Sequence, residues 1–106
     1  MLRHIVMFRF AENTGKSREA LLREAEARAQ TLSEIPYVKR FEVRTAPNGT
    51  PRENYDIALF LDFEDIASLT AYRDHPVHVA FRAYITPLRE KRASFDYVLQ
   101  AETREK

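Results

Sequence analysis

The sequence has no cysteine and no tryptophan, and only two glycines among its 106 residues. Without cysteine there can be no disulfide, thiolate nucleophile or zinc–thiolate site. That composition fits a reducing compartment, and a cytoplasmic location is expected. Gly15 and Gly49 stand far apart, so there is no glycine-rich phosphate loop. Gly-x-Ser-x-Gly and Ser-x-x-Lys nucleophile motifs are also missing. Neither sign of charge dominates, because 17 basic and 16 acidic residues interleave to a net charge of +1. A nucleic-acid partner needs a one-signed basic face, so none is expected. No apolar run approaches the length of a membrane span, and no membrane association is expected. Arg3, His4 and Arg9 interrupt the segment Met1–Phe10, which therefore lacks the apolar region of a secretory leader. One domain is expected over residues 1–100, followed by a polar tail at 101–106.

What is present reads as alternating strands and helices. Residues 2–10 alternate as a strand, with Leu2, His4, Val6, Phe8 and Phe10 on one face and Arg3, Ile5, Met7 and Arg9 on the other. Ser17 is placed to cap a helix running to about residue 34, with Leu21, Leu22, Ala25, Ala29, Leu32 and Ile35 on one stripe. Pro36 stops it. A second strand is expected over 37–46, a turn at Pro47-Asn48-Gly49-Thr50-Pro51, and a third strand over 55–63. Asp65 can cap a short helix over 66–74, and Pro76 suits the first turn of another. Pro87 bends or ends that helix, and a last strand is expected over 94–100.

The order β-α-β-β-α-α-β implies an α+β, ferredoxin-like plan with a four-stranded antiparallel sheet. Helices would shelter one face of the sheet. The other face would expose Ile5, Met7, Ala58 and Phe60, and such patches mark interfaces. A second copy is expected to cover it as a homodimer. Arg3 and Arg9 are expected to pair across that dimer with Asp56 or Asp62. An RNA-recognition reading of the same plan fits poorly. The third strand has no glycine, and its open-face residues are Ala58, Phe60 and Asp62.

The densest chemistry lies in Tyr72-Arg73-Asp74-His75-Pro76-Val77-His78-Val79-Ala80-Phe81, which holds a phenol and two of the three histidines. His78, Phe81, Ile85 and Leu88 share a helical stripe. His75 and His78 are three residues apart, and a metal pair with a third ligand from His4, Asp74 or Asp96 is conceivable. No spacing enforces it, and no metal is expected.

The segments Arg3–Phe10, Tyr55–Asp65 and His75–Phe81, with the closing Phe95-Asp96-Tyr97, resemble the stress-responsive A/B-barrel domain family, Dabb. The resemblance spans residues 2 to 99. It implies a ferredoxin-like subunit in a homodimeric α/β barrel. The family includes stress-response proteins and plant polyketide cyclases. In the cyclase branch the second histidine of His-Pro-x-His is the general base, and a tyrosine on the preceding helix orients the substrate. Those positions here are His78 and Tyr72, and the branch's first-strand histidine corresponds to His4. The sequence departs at Ile57, where that branch has another pocket histidine.

The candidate catalytic residues are therefore His78 and Tyr72, with His4, Ile57, Leu59 and Phe81 as candidate substrate contacts. Burial favours a neutral imidazole, which can remove a proton beside a carbonyl while the phenol bonds the developing enolate. The expected activity is cofactor-free cyclase, isomerase or lyase chemistry on a small hydrophobic carbonyl compound. A contrasting reading makes His78 a core histidine bonded to a backbone carbonyl, in a non-catalytic stress-response or structural dimer. A third, from related dimeric barrels, is a cofactor-free monooxygenase. An enclosed cavity touching His4, Tyr72 and His78 would favour the first; a solid core would favour the second.

Overall fold

The structure is a computed structural model and is described over residues 1–100. The polar tail expected at 101–106 lies outside the described residues. The elements are β1 (Leu2–Phe10), α1 (Arg18–Gln30), β2 (Arg40–Thr45), β3 (Ile57–Phe63), α2 (Ile66–Asp74), α3 (Pro76–Ile85) and β4 (Arg89–Val98), with 3₁₀ turns at Thr31–Glu34 and Thr86–Leu88. The strands form one sheet in the order β2-β3-β1-β4. Every neighbouring pair is antiparallel. This is the ferredoxin-like fold.

Local chemistry sets the helix ends. Ser17 Oγ accepts the Ala20 N–H at 3.1 Å and Asp65 Oδ1 accepts the Ser68 N–H at 2.9 Å. Each side chain satisfies a donor that the first helical turn leaves unpaired. α2 stops at His75, because Pro76 has no N–H to continue it, and the fixed φ of Pro76 then starts α3. Gly49, at φ 97°, supplies the left-handed residue of the β2–β3 turn.

The core lies between the helices and one sheet face. Leu2, Val6, Phe8 and Phe10 enter it from β1, and Ile57, Leu59, Leu61 and Phe63 from β3. Ala25 and Ala29 of α1 are fully buried, and their small side chains let that helix lie close to the sheet. Asp56 ties three elements together. It accepts the Phe10 N–H at 2.8 Å and the Arg18 Nε–H at 3.0 Å. Arg18 also donates to the Ala46 carbonyl at 3.0 Å.

Three strand boundaries differ from the sequence reading. β2 and β3 begin later than expected, at Arg40 and Ile57. β4 begins earlier, at Arg89, because β1 offers ladder partners as far as Phe10. The run Arg89-Glu90-Lys91-Arg92 has no apolar alternation, so pairing rather than patterning makes it a strand. β4 is a sheet edge, and none of its residues is buried.

On the open face Ile5, Met7, Ala58 and Phe60 are half-buried rather than bare, since cross-strand neighbours shield them. The largest apolar exposure there is Phe95, at 65%. Arg3 pairs within the chain, with Asp62, at 2.7 Å from Nε to Oδ1 and 3.0 Å from Nη2 to Oδ2. This corrects the expected pairing across a dimer: the two residues sit opposite each other in the β1–β3 register, so the bidentate bond closes locally. Asp56 is likewise taken by Arg18, and Arg9 lies 4.0 Å from Glu90.

Candidate functional site

The helices cover β2, β3 and β1 but stop short of β4, and a cavity of about 310 Å³ remains between β1, β4, α2 and α3. Val6, Phe8, Leu59, Phe81 and Ile85 make its floor and are all buried. His4, Tyr72 and His78 add the polar atoms. The exposed side chains Arg73, Arg82 and Arg92, with half-buried Arg89, form a rim toward solvent. The volume sits at the small end of the roughly 300–1,000 Å³ typical of ligand sites.

His78 is the third residue of α3 and is half-buried. Its Nδ1 lies 2.9 Å from the Arg73 carbonyl oxygen, one of the acceptors that the end of α2 leaves unpaired. A carbonyl only accepts, so Nδ1 carries the proton and the Nε2 lone pair is available. Burial lowers the pKa of His78 below the ordinary 6.5, and the nearby charges of Arg82 and Arg73 add to that against the raising effect of the carbonyl bond. The ring is therefore a neutral base.

Tyr72 faces it, with ring centroids 4.6 Å apart. The phenol is only 2% exposed. Among the described residues its hydroxyl has no hydrogen-bond partner. Burial pushes its pKa well up, with Arg92 and Arg73 opposing weakly, so it stays protonated and can only donate to an anion.

His4 is 5% exposed and meets Tyr72 edge-on, at 6.5 Å between centroids. Its Nδ1 donates to Asp96 Oδ1 at 2.5 Å. Asp96 is the residue directly opposite His4 in the β1–β4 ladder. The carboxylate fixes the ring and leaves Nε2 as the second free imidazole nitrogen of the site. The sequence alone offers Asp96 only as a conceivable metal ligand. Its one visible signal was an acid between apolar neighbours in Phe95-Asp96-Tyr97.

The structure thus brings His4, Leu59, Tyr72, His78 and Phe81 to one cavity. Ile57 is not among its lining residues; it is buried in the core, paired with Phe8 and Thr45. Two positions along β3 separate it from Leu59, about 7 Å at strand rise, which carries it past the hollow. His75 caps α3, its Nδ1 accepting the Val77 N–H at 3.1 Å. That bond ties the ring to the helix break through Nδ1. Among the described residues no group of three or more His, Cys, Asp or Glu is placed to hold a metal ion.

The model of the stress responsive A/B barrel domain matches residues 2–99. The chain belongs to the Dabb family. Solved structures agree with that assignment. A Dabb family protein with a ferredoxin-like fold from Mesorhizobium loti is 31% identical, with a TM-score of 0.74, over 94% of this chain and 97% of that one. A dimeric ferredoxin-like protein of unknown function from Thermobifida fusca is 28% identical, with a TM-score of 0.77, over 92% and 90%. The hydroxynitrile lyase of Passiflora edulis shares the fold at 20% identity, with a TM-score of 0.74, over 98% and 96%. No curated protein matches the chain. No helix of the described residues is long and apolar enough to cross a membrane.

Proposed function

We propose that this Dabb protein binds a small hydrophobic carbonyl compound and catalyses cofactor-free proton transfer on it, of cyclase, isomerase or lyase type, with His78 as general base. One observation carries the reading: His4, Tyr72 and His78 share a cavity with an apolar floor rather than a solid core, and the His78 Nδ1 bond to a carbonyl, common to both readings, fixes its tautomer. His78 Nε2 takes a proton from the carbon next to the substrate carbonyl. The C–H electron pair moves into an enolate, and Tyr72 donates its O–H to the enolate oxygen. The imidazolium then returns its proton to carbon or to a leaving group. His4, held by Asp96, lines the opposite wall and bonds a polar group of the substrate. Leu59 and Phe81 hold its apolar part.

Exposed Phe95 and Val98, with half-buried Ile5 and Phe60 beside Phe95 on the open face, support a homodimeric barrel, and the Thermobifida fusca neighbour is a dimer. The cytoplasmic location expected from composition belongs to the same proposal.

The test is proton exchange, which needs no knowledge of the natural substrate. Aryl methyl ketones are incubated with the protein in D₂O, and deuterium uptake at the methyl carbon is followed by NMR. Uptake above buffer is expected, with a drop of about a hundredfold or more in His78→Ala. Equal uptake in the variant would remove His78 as the base. No uptake with any ketone of suitable size would favour the non-catalytic dimer.

A further inference from the structure

Several of the protein's basic side chains have acidic partners. Arg3 pairs with Asp62, Arg18 with Asp56, Lys16 with Glu24 and Arg52 with Glu12. Lys16, Arg18 and Arg52 line a separate hollow of about 280 Å³ near the start of α1, where each already has its acid. The rim of the His78 cavity is different. Among the described residues Arg73, Arg82, Arg89 and Arg92 have no carboxylate within ion-pairing distance, yet they converge on one opening. The carboxylate that acts on Arg92 is Asp96, and it is turned to His4.

Helix ends account for part of this. Arg73 and Arg82 sit in the last turns of α2 and α3, where a cation complements the helix dipole. Arg89 and Arg92 lie on β4 and have no such reason to be there. Arg92 pairs with Phe8, so it is on the helix-facing side of the edge strand, above the cavity floor. Burial and the charges of Arg89 and Arg73 together disfavour its guanidinium. A guest anion would relieve that repulsion.

We propose that the cavity takes an amphipathic organic anion, with its apolar body on the floor of Phe8, Leu59 and Phe81 and a carboxylate or phosphate group at the guanidinium rim. The inference rests on the cavity being the substrate site and deepens that reading: the carbonyl compound carries a negative group that meets the guanidinium rim. Guanidinium forks bind both oxyanions in two-point fashion, so the rim chemistry is shared between the two sources. The partial exposure of the arginines holds the expected gain to roughly tenfold rather than thousands.

The experiment titrates three probes with one ring system into the full-length protein: naphthalene-2-carboxylate, 2-naphthyl phosphate and naphthalene-2-carboxamide. Calorimetry reads affinity, and amide NMR shifts locate the site. At least one anion is expected to bind about tenfold or more tighter than the neutral amide, and the tighter one identifies the source. That preference should shrink with added salt. It should vanish in the double variant Arg73→Gln/Arg92→Gln and return in part in Arg73→Lys/Arg92→Lys, with the thermal midpoint unchanged in both. Equal affinity for all three probes overturns the charge inference and leaves the cavity reading standing. Tight anion binding that ignores the double variant also overturns it. No binding of any probe overturns both, and the ketone exchange assay, run with neutral compounds, judges His78 independently.

Discussion

Removing the Tyr72 hydroxyl should cost the protein activity and cost it no stability. In most buried tyrosines the O–H has found a partner, and Tyr→Phe then loses a net hydrogen bond worth about 1 kcal/mol plus any stranded acceptor. Tyr72 is 2% exposed, and its hydroxyl is unpartnered among the described residues. The ring does the packing, against Phe63 at 5.0 Å and His78 at 4.6 Å between centroids, and phenylalanine keeps those contacts. Tyr72→Phe should therefore leave stability unchanged or raise it by up to about 1 kcal/mol, since an unsatisfied polar group leaves the interior. Near the midpoint that is an increase of up to roughly 4–8 °C for a domain of this size. Tyr84→Phe is the control. Its hydroxyl donates to Glu24 Oε1 at 3.0 Å, and loss of that bond should lower stability by about 0.5–1 kcal/mol. Thermal and urea unfolding are followed by circular dichroism at one protein concentration, because a dimer's midpoint depends on concentration. Deuterium uptake into ketones should fall about tenfold or more in Tyr72→Phe and stay unchanged in Tyr84→Phe. If Tyr72→Phe lost 1 kcal/mol or more while uptake held, the hydroxyl would be a structural group and its assigned role would be wrong.

The other predictions concern titration, the anchoring carboxylate and the exposed sheet face. The pKa of His78 is lower in the folded state than the ordinary 6.5. The unfolded chain therefore binds more protons between the folded value and 6.5, so the stability His78 contributes is complete above 6.5 and is lost as pH falls through the folded value. NMR titration should give a His78 midpoint below 6.5, and His78→Gln should flatten the acid-side slope of stability; a midpoint at or above 6.5 contradicts the neutral-base assignment. Asp56→Ala should destabilise by about 1–2 kcal/mol in urea unfolding, because it strands the Phe10 N–H and takes the acceptor from the Arg18 Nε–H. A loss below about 0.5 kcal/mol would mean that neither bond matters in solution. Phe95→Glu should convert the proposed homodimer to a subunit of 12.4 kDa by sedimentation, since it puts a charge on the most exposed apolar residue of the open face. A variant that stayed dimeric would move the interface elsewhere.

Local signals made most of the fold legible. The side chains of Ser17, Asp65 and Pro76 act within a few residues, and the period-two alternation of Leu2–Phe10 declares its own buried face. Burial of every second residue in β1 follows that alternation without exception. What escaped depended on distant pairing. The early start of β4 needs β1 as a template, and the His4–Asp96 bond needs a register across 92 residues of chain. Family position identifies the strand and face of Ile57 but not how far along that strand the hollow extends. The arginine rim was invisible for a similar reason. Arg73, Arg82, Arg89 and Arg92 look like scattered solvated charges until α2, α3 and β4 bring them to one mouth.

The same geometry explains why the reactive atoms can all face one space without unfolding it. Each imidazole is held from outside the cavity through Nδ1, His78 by the Arg73 carbonyl and His4 by the Asp96 carboxylate. Rotation of either ring would break a bond made to another element, so both Nε2 atoms are positioned before any ligand arrives. The helix break at His75-Pro76 makes this possible. It ends α2 with a spare carbonyl at Arg73 and starts α3 in time to set His78 beneath it. A continuous helix would have used that carbonyl internally, and His78 would then need another way to fix its tautomer. Replacing Pro76 with alanine tests the dependence, since it permits the helix to run through. If His78 then kept its lowered pKa and its Nδ1 proton by NMR, the break would be incidental to the base. We expect instead a mixed tautomer, a midpoint nearer 6.5 and slower ketone exchange in a protein that remains folded.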